Sequence, residues 1–227
     1  MTDVKPFVLH DSSPPSDRSV AVLLVASGTP KEPTLRVPGM LDPLGPTCLF
    51  DLALQCLDGV EEATERAVWA DDTSLLERFE AQQHPGVRLL AAPPEQSLRR
   101  GVPDALLSTY VVVLDGRYPF LRPNTIDEAI RLLRLRADIE AIKSCVRVHG
   151  DLYDILGESL GNKQNTSLLS CPAFSFVPAE VLGVGRALKG PPFPFEIGSS
   201  EGFRVDTPFT SELAGALLSE RRAATAR

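Results

Sequence analysis

The stretch "YVVVLDGRYPFLRPNTIDEAI", Tyr110 to Ile130, holds the reading on which the fold turns. Three valines and a leucine make a short apolar run of the kind that a strand buried on both faces shows. It ends in Asp115-Gly116-Arg117, where charge is costly unless water, a cation or a ligand meets it. Beyond Pro119 and Pro123 the pattern becomes helical. Thr125-Ile126-Asp127-Glu128 has the form of a capping box, and Ile126, Ala129, Ile130, Leu133 and Ala137 fall on one apolar stripe. Acids lie in the first turn and Arg131, Arg134 and Arg136 toward the end, as the helix dipole prefers; those arginines read as a solvated face.

The same alternation extends in both directions. Upstream, "SVAVLLVAS" (19–27) is another near-continuous apolar run, followed by a loop whose prolines 30, 33, 38 and 43 forbid a helix, and then by a helix starting at Pro46-Thr47. "RAVWA", "GVRLLAA" and "TYVVVLD" read as short strands separated by the helical patterns "DTSLLERFEAQQ" and "PDALLS". Downstream, "IEAIKSCVRVHG" and "LLSCPAFSFVP" read as strands, and "GFRVDTPFTSELAGALL" as a short strand, an aspartate and a closing helix. This order predicts an α/β fold with a mostly parallel sheet and helices on both faces. Residues 150–170 and 184–202, rich in Gly, Asn, Ser and Pro, read as irregular excursions.

With 227 residues and 43% hydrophobic content the chain suits one domain, spanning 19–218 between loose tails at 1–18 and 219–227. A net charge of -7 argues against nucleic acid as a partner, while a small anionic ligand needs only a few local cations. Cys48, Cys56, Cys145 and Cys171 are too scattered for a metal-site spacing and read as reduced core thiols, which points to a cytoplasmic protein. Residues 1–19 have no apolar segment of signal-peptide type, and no later run approaches the length of a membrane span.

Open sheets of this class bind ligands beyond the carboxyl ends of their strands. Three charged features fall there: Lys31 and Arg36 after the first strand, Asp115 and Arg117 after the central one, and Asp206 after the last. Each is also explicable alone as a solvated loop charge or a helix cap. "GESLG" (157–161) satisfies G-x-S-x-G, but no histidine follows His149, so a serine hydrolase is discounted. His10, His84 and His149 are too dispersed for a metal cluster.

From about residue 19 to 218 the segments resemble the nucleotide-sugar cytidylyltransferases, the superfamily of CMP-sialic acid, CMP-3-deoxy-octulosonate and methylerythritol cytidylyltransferases. The pieces that carry the likeness are "PFLRPNTIDEAIRLL", "VWADDTSLLERF" and "RVDTPFTSELAGALL". The resemblance implies a three-layer, Rossmann-like nucleotide-diphospho-sugar transferase fold and transfer of CMP from CTP, or a related nucleotide, to an acidic sugar or similar small acceptor. It implies nucleotide contacts from Ala26, Ser27, Gly28, Lys31 and Arg36, catalytic roles for Lys31, Arg36 and Arg117, and Mg²⁺ held by Asp115 and Asp206. It also implies a homodimer that lends the 150–170 segment across its interface. The chain departs from the family pattern at Ser27, Pro30, Val37, Cys171 and Arg204, the last standing where the family has the first acid of D-x-D. These departures support an alternative: a relative that keeps the fold and acts as a non-catalytic binding or pairing subunit.

Overall fold

In the computed structural model, which describes residues 18–26, 38–91, 106–149, 166–184 and 187–225, the first apolar run is an interior strand of a seven-stranded sheet. In chain order the elements are β1 (Val20–Ala26), a two-rung hairpin β2 (Pro43–Leu44) and β3 (Thr47–Cys48), α1 (Leu49–Asp58), β4 (Glu65–Ala70), α2 (Thr73–Gln82) and β5 (Val87–Ala91). There follow β6 (Tyr110–Asp115), α3 (Pro123–Leu135), β7 (Ile142–His149), β8 (Thr166–Pro178), α4 (Ala179–Val184), β9 (Phe193–Ile197) and α5 (Pro208–Thr225). The sheet order is β5-β4-β1-β6-β8-β7-β9, and every strand runs parallel to its neighbours except β8.

Period-two alternation divides β1 between two cores. Val20, Val22, Leu24 and Ala26 join the larger one, with Leu49, Phe50, Leu54 and Leu57 of α1, Leu75 and Phe79 of α2, and Ile126, Ala129, Ile130 and Leu133 of α3. Ala21 and Leu23 face the smaller one, with Ala67, Trp69 and Val111, against which Ala179 and Leu182 of α4 pack. Both faces are thus covered, and the run reads as continuous hydrophobicity because neither sees water. All four cysteines are buried and free.

Several local expectations are overturned. α1 begins at Leu49 rather than at Pro46-Thr47, because the chain first makes the β2–β3 hairpin around Gly45, whose φ of +64° is a left-handed value. Helix α3 already starts at Pro123, so the capping box of Thr125 with Glu128 is not formed, and Thr125 and Asp127 are buried positions within the helix. Their side chains serve tertiary contacts instead: Thr125 donates to Glu201, and the buried Asp127 accepts from the amides of Glu61 and Glu62. Ala137 lies beyond the end of α3 and is exposed, off the stripe assigned to it.

The terminal and excursion boundaries also move. Residues 219–225 continue α5 instead of forming a tail; the Arg221 guanidinium lies 4.7 Å over the Phe120 ring, and the alanines there are strong helix formers. Of the 150–170 excursion, 166–170 belong to β8, paired with β7, and the remainder lies outside the described residues. The 184–202 stretch contains β9, hidden by Pro192 and Pro194; proline is tolerated because β9 is an edge strand, where one face of the ladder has no partner. The short strand expected at 202–205 is an extended connector, and residues 106–108 of "PDALLS" are not helical.

The buried carboxylate of Glu201 ties α3 to the turn after β9. It accepts from the Arg122 amide (3.1 Å), Arg122 Nη2 (3.0 Å), Thr125 Oγ1 (2.6 Å) and the Gly198 amide (3.1 Å). Burial alone raises its pKa, but these hydrogen bonds outweigh burial and hold it below the usual carboxylate value. Glu201→Ala is expected to cost roughly 3 kcal/mol at neutral pH, since it strands a hydroxyl and two amides. A depressed folded pKa stabilises above the unfolded value of about 4.3 and the contribution is lost as pH falls through the folded one, so the urea-midpoint gap between wild type and variant should narrow on acidification. A gap independent of pH would show that the carboxylate is not ionised in this clamp.

Candidate functional site

Because all strands but β8 share one direction, the carboxyl ends of β1, β4, β6, β7 and β9 lie on a single rim. Val25 is the register partner of Asp115, so the loop leaving Ala26 starts about one strand spacing, roughly 5 Å, from the end of β6. Ala26 itself is fully buried as strand core. Ser27, Gly28, Pro30, Lys31, Arg36 and Val37 lie outside the described residues, as do His10 and the "GESLG" segment.

At the end of β6 the chain turns sharply. The Arg117 amide donates to Asp115 Oδ1 (3.0 Å), and the guanidinium folds back on the same carboxylate through Nε to Oδ1 (2.9 Å) and Nη2 to Oδ2 (2.6 Å). This is a two-pronged, charge-assisted pair. Space at Gly116 is tight: a Cβ there would displace the terminal methyl of the flexible Met40 side chain and come within 3.3 Å of Leu24 Cδ1. The hydrogen bonds that Arg117 donates to Asp115, and then the charges of Asp115 and Asp206, outweigh burial and raise the Arg117 pKa above the ordinary guanidinium value, so this side chain is cationic at any working pH.

One backbone bond joins this turn to the connector before α5: the Val205 amide donates to the Arg117 carbonyl at 2.9 Å. Arg204 and Asp206 flank that bond in sequence, and Asp206 is near enough to Arg117 to act on its pKa. The structure therefore brings Asp115, Arg117, Arg204 and Asp206 to one part of the rim. Arg204 Nη1 is 3.8 Å from Asp206 Oδ2, beyond hydrogen-bonding range, and Arg204 Nε is buried with no partner among the described residues. Asp206 is held by its amide, which donates to Thr210 Oγ1 (3.1 Å), while Thr207 caps α5 by accepting from the Thr210 amide (3.1 Å).

Behind this cluster sits Tyr118, which the sequence reading did not single out. It is buried beside Cys171, and burial first, then the neighbouring thiol, push its phenol far above the ordinary value, so it stays protonated. Its only sequence signal was its place immediately after the charged turn. Cys171 in turn lies 3.7 Å from the Gly202 carbonyl, in the part of β8 where the register with β7 slips.

The expected magnesium site can be tested against these contacts. A hard divalent cation wants several open oxygen ligands and a surplus of negative charge. Both oxygens of Asp115 already hold Arg117, and the two aspartates are balanced by two arginines. Among the described residues no group of three His, Cys, Asp or Glu side chains could hold a metal ion. As arranged, these residues do not fit the ion, because Arg117 occupies the carboxylate assigned to it.

No family model matches the sequence, and no curated protein does. Solved structures do match. The chain is similar to a CMP:2-keto-3-deoxy-manno-octonic acid synthetase complexed with CTP, with TM-score 0.65 at 14% identity, covering 89% of this chain and 99% of that one. The fold is that of the nucleotide-sugar-type cytidylyltransferases. A 4-diphosphocytidyl-2C-methyl-D-erythritol synthase from Anaerococcus prevotii aligns with TM-score 0.62 at 12% identity, over 89% of this chain and 96% of its own. A further 4-diphosphocytidyl-2C-methyl-D-erythritol synthase gives 0.63 at 15%, over 88% and 99%. No described helix is long and apolar enough to cross a membrane.

Asp115→Asn is expected to lower stability by about 1 kcal/mol, a modest loss because the pair is partly solvated. It should also speed modification of Arg117 by phenylglyoxal, followed by peptide mass spectrometry. Labelling at the wild-type rate would mean that the fork does not persist in solution.

Proposed function

We propose that this chain is a nucleotidyltransferase of the cytidylyltransferase type, which binds CTP at the rim shared by β1 and β6 and passes CMP to an acidic sugar or related small acceptor. The observation that carries this reading is the Val25–Asp115 register together with the Arg117–Val205 bond, which set the start of the Lys31/Arg36 loop and the four-charge cluster on the same rim. The global likeness to a synthetase complexed with CTP supports the choice of nucleotide.

In this reading the acceptor hydroxyl attacks the α-phosphorus, the bond from that phosphorus to the α,β-bridging oxygen breaks, and pyrophosphate departs with the electron pair. Negative charge grows on the leaving group and on the α-phosphoryl oxygens. Cations fixed in advance oppose it without reorganising at the moment of reaction. Lys31 and Arg36 take the β- and γ-phosphates, Arg204 offers a guanidinium at the adjoining strand end, and Arg117 is the second fixed positive charge there. Asp206 accepts the acceptor's hydroxyl proton directly or through one water.

A second reading, a fold relative that binds nucleotide or a partner without chemistry, is favoured by one specific observation: the Asp115 carboxylate is already occupied by Arg117. Thermal shift with CTP, UTP, GTP, ATP and dTTP separates binding from its absence, because a ligand of the native state raises the melting temperature. Release of pyrophosphate only when acidic sugars accompany the stabilising nucleotide establishes the transferase. Stabilisation without any release, across a panel of 3-deoxy-2-keto acids and sugar phosphates, selects the second reading.

A further inference from the structure

The four rim charges sum to zero, yet they are not equally satisfied. Asp115 and Arg117 are closed on each other. Arg204 is not: among the described residues its Nε is buried and unpartnered, and its nearest carboxylate, Asp206, stands at 3.8 Å. An orphaned buried donor costs about 1–3 kcal/mol, a penalty that remains until an acceptor reaches it or the side chain moves to meet one. The side chain is 35% exposed, so its outer end is accessible from the rim.

We infer that Arg204 is the anchor for a phosphate of the bound nucleotide and that this anchoring needs no divalent cation, an inference that rests on the nucleotide-binding reading above. Its physical basis is substitution of charge. Where a carboxylate at position 204 would add negative charge and call for a metal ion to mediate between protein and phosphate, a guanidinium meets the phosphate directly through two parallel N–H donors. Asp206 at 3.8 Å restrains the guanidinium electrostatically without consuming its hydrogen bonds. The Arg117–Val205 backbone bond fixes where the connector carrying Arg204 crosses the end of β6. Arg117 contributes field but no free donors on its Asp115 side, so of these two arginines Arg204 is the one whose donors are open to the ligand.

The test uses the full chain, with inorganic pyrophosphate and CTP as separate probes, titrated calorimetrically in EDTA and in excess magnesium. Wild type is expected to bind both with affinities that agree within about threefold between the two conditions, less than 1 kcal/mol apart. Arg204→Ala should weaken both by about tenfold or more in EDTA, the loss of one charge-assisted contact. Arg204→Lys should recover part of that loss, and Arg204→Asp should make whatever binding remains depend on magnesium. Circular dichroism of each variant verifies the fold, which truncation of an unsatisfied side chain is not expected to harm. CTP bound only with magnesium overturns this inference and leaves the nucleotide reading intact. Metal-free pyrophosphate binding without CTP binding overturns the nucleotide reading, and with it the nucleotide as the ligand of Arg204. Binding unaffected by Arg204→Ala, or binding of neither probe, sinks the inference.

Discussion

The fork between Asp115 and Arg117 governs the character of this rim. A carboxylate at the end of a buried strand has to be met by something, and here it is met by the side chain two residues later, folded back by a turn that Gly116 makes passable. That closure turns one acid and one base into a nearly neutral platform. The orientation of the neighbouring connector follows, since the carbonyl of Arg117 is where Val205 bonds. The cation with unused donors is then the one that arrives from outside the pair, on the approach to α5.

Much of the scaffold was readable before any coordinates. β1, β4 and β6 carry apolar runs because each is an interior strand of the sheet, β5 carries one at the edge opposite β9, and α2 and α3 carry stripes that match one sheet face. What escaped had a physical reason in each case. β9 is broken by prolines that only an edge position permits; the β2–β3 hairpin depends on a left-handed glycine; and about the last two turns of α5 are polar enough to pass for a tail. The apparent capping box of Thr125 with Glu128 failed because α3 already begins at Pro123, and Thr125 and Asp127 are drawn into contacts with residues 76 and 65 to 66 positions away in the chain.

The site was legible to a different degree. That Asp115, Arg117, Arg204 and Asp206 share a rim follows from strand order, which the alternation of elements foreshadowed. That Arg117 closes on Asp115 depends on a turn geometry that no residue pattern specifies, and this one contact changes the expected metal ligand into half of an ion pair. Tyr118 and Glu201 were not anticipated, because their importance comes from burial beside Cys171 and beneath the start of α3, and neither neighbour is close in sequence.

At the far side of the sheet, β9 has no neighbouring strand on its outer flank among the described residues. Pro194 removes one donor from that strand, and Glu196 forms a charged fork with Arg147 of β7, its partner strand. A strand from another molecule laid along it would meet a missing rung and then an ionic obstacle, the features that natural edges use against open-ended stacking. Fibril-like growth through that flank is therefore disfavoured by composition itself, independently of anything bound at the opposite end of the strands.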